Sequence, residues 1–411
     1  MTPVPEAGDR LADTVRVEGA RILATLVRTT GSLQVAEDAV QEAVVAALRA
    51  WPRTGVPAEP RAWLTVAARR KAIDILRRER ARAGKEQDAR ELMGLRTPLP
   101  SDSVVRDDQL RLIFTCCHPA LSPEARVALA LRTLCGLSPA QIAAVLLTTE
   151  AAMAKRLTRT RRKIAAARIP YRVPSDEDLP GRLGAVCGVV HGLYTAGHAP
   201  LGGETALDVD VCAEAVRLGR LLHGLLPDEP MPAAVLALLL LTDARRPARV
   251  DEAGEVVPLA DQDRARWDAA RMAEGRALLD ASLRRTGGVA DPYQLQAAIA
   301  AEHARAPAYA QTDWDEIARL YDLLLSVAPS PAAALSRAVA VAEATGAPAG
   351  LAALEGIPPS PRWHAVRAEL LAREGRYAEA VDAITASLTG ELTAPERRYR
   401  ERCRASWAAR V

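Results

Sequence analysis

At roughly 150 residues per domain, 411 residues make room for two or three domains, each large enough for an ordinary core. Hydrophobic residues make up 49%, charged residues 26% and aromatics only 3%, which describes a globular chain built on Ala, Leu and Val. No apolar run reaches about 18 residues, so no membrane span is expected; "VLALLLLT" (Val235–Thr242) reads as a buried helix segment, and "MTPVPEAGDR" lacks the basic start and apolar centre of a secretory signal. The net charge of +3 hides an asymmetry: residues 1–172 hold 29 Lys and Arg against 18 Asp and Glu, net +11, and the remainder holds 25 against 33, net −8. A basic front half implies a polyanion partner, and an acidic back half can lie against it within the same chain.

Strand signals are nearly absent, and helical windows separated by Pro and Gly dominate, so the chain is expected to be all-α. The first zone, 1–85, contains "VAEDAVQEAVVAALRAW" (Val35–Trp51). Its period places Val40, Val44, Leu48 and Trp51 inward and lines another face with Glu37, Asp38, Gln41 and Glu42, a surface suited to a protein partner. The Pro-rich "WPRTGVPAEP" follows, and then "PRAWLTVAARRKAIDILRRERAR" (Pro60–Arg82), with eight basic residues and two acids. Here Leu64, Ala67, Ala68, Ile73 and Leu76 are expected inward, leaving Arg69, Arg70, Lys71, Arg77 and Arg78 outward. Trp63 stands at the start of this helix, as a core anchor or as a stacking platform for an unpaired base beside a basic groove.

Residues 86–108, "EQDARELMGLRTPLPSDSVVRDD", are polar and carry Pro98 and Pro100, and they read as a linker. Cys116, Cys117 and His118 are adjacent and could suggest a metal, but neighbouring residues of a helix point in different directions, so the spacing is poor for a tetrahedral zinc. Buried reduced thiols are expected there, without a metal, in a cytoplasmic setting.

The decisive stretch is "LSPAQIAAVLLTTEAAMAKRLTRTRRKIAAAR" (Leu137–Arg168). Ser138, Pro139 and Gln141 form a helix start, and Thr148 or Thr149 can cap a second helix after a short break. In that second helix Met153, Leu157 and Ile164 share one side, and Lys155, Arg156, Arg159, Arg162 and Lys163 the other. From Glu150 to Arg172 there are eight basic residues and one acid. Two short helices of this kind are a helix-turn-helix, whose second helix enters the major groove with arginine forks facing the bases and phosphates.

Beyond the break "IPYRVPSDEDLPG" (Ile169–Gly181), residues 173–411 are helical throughout. "WHAVRAELLAREGRYAEAVDAITASLTGELTAP" (Trp363–Pro395) resembles a tetratricopeptide unit, and Asp313–Gly346 a looser neighbour, so a helical-repeat array is expected. "VVHGLYTAGHAPLGGETALDVD" gathers His191, His198, Asp208 and Asp210 near a Gly-rich loop, which leaves a ligand pocket or metal site open. No HExxH, GxGxxG or Walker pattern occurs, so no catalytic residue, enzymatic activity or cofactor is expected.

These residues carry a family resemblance. "AEDAVQEA", "ALRAW" and "PRAWLTVAARRKAIDILRR" resemble region 2 of bacterial RNA polymerase sigma factors, and "LSPEARVALALRTLCGLSPAQIAAVLLTTEAAMAKRLTRTRRKI" resembles region 4. The short spacing between them is similar to that of the extracytoplasmic-function group. "RLIFTCCHPALSPEARVALALR", "LLLLTDARRPAR", "PYQLQAAIAAEHA" and "TDWDEIARLYD" resemble its subgroup with a C-terminal tetratricopeptide-like domain. The resemblance implies region 2 over 1–85, a linker over 86–108, region 4 over 109–172 and a helical-repeat regulatory domain over 173–411. It implies docking on core RNA polymerase through Asp38, Gln41 and Glu42. Promoter DNA would meet Trp63, Arg69, Arg70, Lys71, Arg77 and Arg78 at the minus-ten element. At the minus-thirty-five element it implies Lys155, Thr158 and Arg159 at base edges, Arg156 and Arg162 nearer phosphates, and Thr149 at the helix start. Two positions depart from the family pattern: Leu147 stands where the turn commonly has Gly, and Ala154 where a basic residue is common. The competing reading, a conventional helix-turn-helix regulator with a tetratricopeptide sensor, needs neither the second basic helix nor the acidic one before it.

Overall fold

Pro, Gly and short polar caps punctuate the chain, and the helices fall between them. The structure is a computed structural model that describes residues 4–82, 108 and 111–411, except 135–136, 147, 168, 170, 173, 175–176, 201 and 390–391. The 86–108 linker therefore lies outside the described residues, apart from Asp108. The chain divides into two compact units, Met1–Val189 and Val190–Val411. Among the described residues the secondary structure is helical, and β-pairing is confined to the isolated bridges Gly203–Thr393 and Val250–Val256.

In the first unit, α1 (Val4–Thr30), α2 (Leu33–Thr54) and α3 (Pro60–Arg82) pack pairwise into a three-helix bundle. Ser32 caps α2 by accepting from Val35 N, and Gly55, at φ 82°, ends it with a conformation that costs a glycine little. The face that α2 buries differs from the expected one. Ala36, Ala39, Ala43, Ala47 and Trp51 are sealed, Val40 and Val44 are half-buried, and Leu48 is 53% exposed. Alanine at every third or fourth position lets helix axes approach closely, so the alanine stripe packs and the larger valines and Leu48 turn outward.

A helical stretch over 111–116, α4 (Pro123–Thr133), α5 (Pro139–Val145) and α6 (Glu150–Ala166) follow. Cys116 and Cys117 are buried there, with Cys116 Sγ 3.1 Å from the Thr133 hydroxyl. Polar contacts among the described residues join this helical group to the bundle. Arg28 Nε donates to the fully buried Asp108 carboxylate at 2.7 Å. The Tyr171 hydroxyl lies 2.8 Å from Ala24 O and 2.9 Å from Asp108 O. Arg161 Nε sits 2.6 Å from the buried Glu37 carboxylate.

The division between units falls within α7 (Leu179–His198); its early residues Leu183, Val186 and Cys187 are buried, and Arg182 donates to Phe114 O at 2.7 Å. The second unit continues with α8 (Val209–Leu225), α9 (Pro230–Asp243), α10 (Ala269–Arg285), α11 (Pro292–Arg305), α12 (Trp314–Val327), α13 (Pro331–Thr345), α14 (Ala347–Ala353), α15 (Pro361–Arg373), α16 (Tyr377–Ser387) and α17 (Ala394–Ala408). Each helix packs mainly on its sequence neighbours, and small cores follow one another along the chain: Leu241 with Leu279 and Ala297, then Leu295 with Ile317 and Leu324, then Ala338 with Leu354 and Leu370, then Leu371 with Ala380 and Ile384. That succession is the energetic plan of a repeat protein. Both repeat units read from the sequence fold as helical hairpins, α12–α13 and α15–α16, the latter turning at Gly375 with φ 72°. α9 is apolar all round and buried nearly all round, as such a helix must be. Gly275 makes its approach to α10 workable, because a Cβ there would meet Leu241 Cγ at 2.7 Å.

Candidate nucleic-acid interface

The charge pattern of α6 is resolved by one buried stripe. Met153, Leu157 and Thr160 point inward, Ile164 is half-buried at the edge, and Thr149 caps the helix by accepting from Ala152 N at 3.2 Å. Lys155, Thr158, Arg159, Arg162 and Lys163 are exposed, and Arg156 is half-exposed. Among the described residues no carboxylate lies within 4 Å of any of these cations. α4 and α5 both pack on α6, which fixes the helix and leaves its basic face open. Next to that face a cleft of about 370 Å³ is lined by Ser122, Glu124, Arg156, Arg159 and Lys163. Ser122 is the N-cap of α4 and accepts from Ala125 N, and three cations converge on the space beside it. Thr158 donates its hydroxyl to Ala154 O at 2.9 Å and keeps its oxygen as an acceptor.

One cation of α6 does something the sequence did not signal. Arg161 is turned to the bundle and pairs with Glu37. Burial pushes the Glu37 carboxyl above its ordinary range, while Arg161 and then Arg132 pull it back. A pattern read helix by helix could not find this pair, because its partners are 124 positions apart and each looks like an ordinary surface charge in its own helix.

The first basic helix is more divided than expected. Arg70, Arg77 and Arg78 are exposed, but Arg69 is buried, at 8% exposure, on the face of α3 that carries Leu64, Thr65, Ala68 and Ala72. The expectation that Arg69 points outward is corrected. It follows Ala68 on the inner edge of the stripe, and burial lowers its pKa, with the nearby Arg28 charge adding to the effect. Lys71 and Arg78 both pair with Glu42 of α2, at 3.2 Å and 3.6 Å. These contacts bring together side chains expected to serve different partners, and as exposed pairs they are worth little, about 0–1 kcal/mol each. Trp63 is half-buried and meets the sealed Trp51 edge-to-face, with ring centroids 5.7 Å apart. Asp38 and Gln41 are exposed and Glu42 is half-exposed; Val45 and Leu48 extend the same outward side of α2 as apolar surface.

The histidine-rich stretch of the second unit does not assemble a metal set. Asp208 caps α8 through Val211 N, His191 packs edge-on to Tyr293, and Asp210 is exposed. Among the described residues no group of three His, Cys, Asp or Glu is placed to hold a metal ion.

Comparison with known proteins bears on this geometry. The sigma-70 region 2 family matches residues 15–82, which span α3 and the acidic side of α2, and the sigma-70 region 4 family matches 111–164, which include α4 to α6. A protein of Rhizobium meliloti (strain 1021), the uncharacterised R00370, is 41% identical over 389 residues, 92% of this chain and 91% of its own. The chain belongs to the sigma-70 family. It is an RNA polymerase sigma factor of the extracytoplasmic-function group that initiates transcription, and its partners are core RNA polymerase and promoter DNA. The probable ECF RNA polymerase sigma factor SigI of Mycobacterium tuberculosis (strain H37Rv) is 31% identical over 162 residues, 38% of this chain and 55% of its own. SigJ of the same strain is 32% identical over 165 residues, 38% of this chain and 50% of its own, so the sigma factor spans about half the length of each. Its residues 182–283 match a family of unknown function, DUF6596. No solved structure matches the chain. No helix among the described residues is long and apolar enough to cross a membrane.

Proposed function

We propose that the sigma factor reads two promoter elements with two basic helices and answers to its own C-terminal half. Region 2 occupies 1–85, a linker 86–108, region 4 109–172 and a helical-repeat regulatory domain 173–411. The observation that carries this reading is the open basic face of α6, held in place by a buried stripe on the opposite side. In the minus-thirty-five element Lys155, Thr158 and Arg159 meet base edges, Arg156 and Arg162 hold phosphates, and Thr149 sets the start of the helix. The cleft beside the start of α4, walled by Arg156, Arg159 and Lys163, suits a backbone phosphate, and Lys163 joins the set. At the minus-ten element Trp63, Arg70, Lys71, Arg77 and Arg78 serve; Arg69, being buried, supports the helix rather than the DNA. Asp38, Gln41 and Glu42 dock on core polymerase, with Val45 and Leu48 as the apolar part of that surface. The protein acts in the cytoplasm and carries out no catalysis of its own. The net charges of +11 and −8 support control by contact between the C-terminal half and the sigma regions.

The test is run-off transcription with bacterial core polymerase on a cognate promoter, comparing the full chain, its Asp38→Lys variant and residues 1–189. The cut at 189 keeps the part of α7 whose Arg182 holds Phe114. The expected result is a promoter-specific transcript with the full chain, loss of it in Asp38→Lys with DNA binding kept, and a changed yield from 1–189. Tight promoter binding without polymerase and without a transcript would favour the conventional regulator.

A further inference from the structure

The loop that follows α7 closes over a cavity of about 440 Å³ in the second unit, within the range of about 300–1,000 Å³ typical of small-molecule sites. Its walls come from positions far apart in sequence: Leu207 from the loop, Val250 from the turn after α9, Val339 from α13, Val366 from α15. Gly203 pins the loop to the start of α17, where Ala394 N donates to Gly203 O at 2.8 Å.

The lining is mostly apolar, with the neutral polar Ser336, Thr393 and Tyr399 and a concentration of arginine. Arg249, Arg362 and Arg400 all face the cavity, and Glu396 is its one acid. Glu396 is committed to Arg400, which also donates to Ser387 O at 2.8 Å. Arg249 donates through Nη1 to the carbonyl of His198 at 2.7 Å and lies 2.8 Å from the ring Nδ1 of the same residue, neither of which compensates its charge. Burial, reinforced by Arg249, Arg245 and Arg362, holds the His198 ring well below its usual range, so it is neutral and accepts from Arg249. Among the described residues no carboxylate lies within 4 Å of Arg249 or Arg362. Arg245 stands close enough to Arg249 for their charges to repel, and burial with that repulsion pushes its pKa down to about 10. Three arginines around one acid, itself paired with Arg400, leave an excess of positive charge that is costly at a largely apolar cavity, and each guanidinium still offers planar donors suited to a carboxylate or phosphate.

We propose that this cavity binds a small organic anion, its negative group held between Arg249 and Arg362 and its apolar body lying on Leu207, Val250, Val339 and Val366. The site belongs to the second unit alone and stands whether or not the promoter assignments above hold. A carboxylate satisfies the two guanidiniums, and the aliphatic wall rewards chain length. An inorganic anion would use only the first of these features.

Calorimetric titration of the full chain with acetate, butyrate, hexanoate and octanoate tests it, with octanol and inorganic phosphate as controls. Octanoate should bind saturably at one site per chain, and affinity should climb by up to about fourfold per added methylene. Octanol and phosphate should bind at least about tenfold more weakly than octanoate, since each lacks one half of the recognition. Arg362→Gln changes an exposed side chain and leaves the fold intact; it should weaken octanoate by about tenfold or more. Val339→Phe should block octanoate by filling the cavity, with circular dichroism showing the helices retained. The proposal fails if octanoate does not bind at millimolar concentration, if phosphate or octanol binds as well as octanoate, or if both variants bind octanoate like the parent.

Discussion

Replacing Arg161 by Ala removes the cation that faces Glu37 and leaves a carboxylate 6% exposed, with Arg132 the remaining cation that lowers its pKa. Breaking a buried pair by deleting one partner costs about 3–5 kcal/mol. Arg161 is itself 20% exposed, so water already screens part of the contact, and about 2–3 kcal/mol is expected here. That is about a 30- to 150-fold rise in the local opening constant. The Glu37 pKa is already raised in the folded state, so the folded protein holds the proton more tightly than the unfolded chain does. The stability linked to that proton is therefore present at low pH and is lost as pH rises above the ordinary carboxyl value of 4.5. Arg161→Ala raises the Glu37 pKa further, so its penalty should be full at pH 7.5 and shrink toward pH 5. Glu37→Gln with Arg161→Ala should recover much of the loss, because no buried charge remains. Amide exchange of the α2 and α6 peptides, with intrinsic rates corrected at each pH, measures both the cost and the coupling. Single-variant effects that add to within about 0.5 kcal/mol, or a penalty equal at the two pH values, would refute the reasoning.

Arg159→Ala should cost about 1–3 kcal/mol in promoter affinity and relax base preference at one position, whereas Arg162→Ala should weaken all sequences alike and lower the salt slope by about 1; fluorescence anisotropy across a salt series separates the two. Gly275→Ala drives a methyl against Leu241 and should destabilise the second unit by about 1–3 kcal/mol, seen as a lower urea midpoint, while Gly288→Ala, whose Cβ meets nothing within 4 Å, should not. Burial and neighbouring arginines depress both His198 and His303, the latter to about 3. The unfolded chain therefore binds protons that the folded one refuses, so second-unit stability should be complete above pH 6.5 and fall as pH drops below it; urea midpoints at pH 5 and 7.5 read this directly.

The helix-turn-helix was legible because its signals are local. A cap at Thr149, an apolar stripe at helical spacing and a run of cations on the other side all lie within twenty residues, and they fold as read. α2 shows where such reading stops. Its valines and Leu48 give the larger hydrophobic signal, but α1 and α3 come close enough to select the alanine stripe, and Leu48 is left outside. Arg69 fails for a related reason: a charge one residue from the buried stripe can fall on either side of it, and the packing of α3 decides which.

By itself, then, the sequence determined that this chain is helical, where its caps fall, which helix carries the open basic face, and that a basic front precedes an acidic repeat. These follow from propensity, periodicity and charge, which act over one or two helical turns. The tertiary structure alone decided which face of α2 is sealed, that Arg161 meets Glu37, and that Arg249 and Arg362 line one cavity. Each of those depends on residues from different elements, in the last two cases more than a hundred positions apart, meeting across a packed interior, where the neighbour rather than the local pattern sets the free energy of burial.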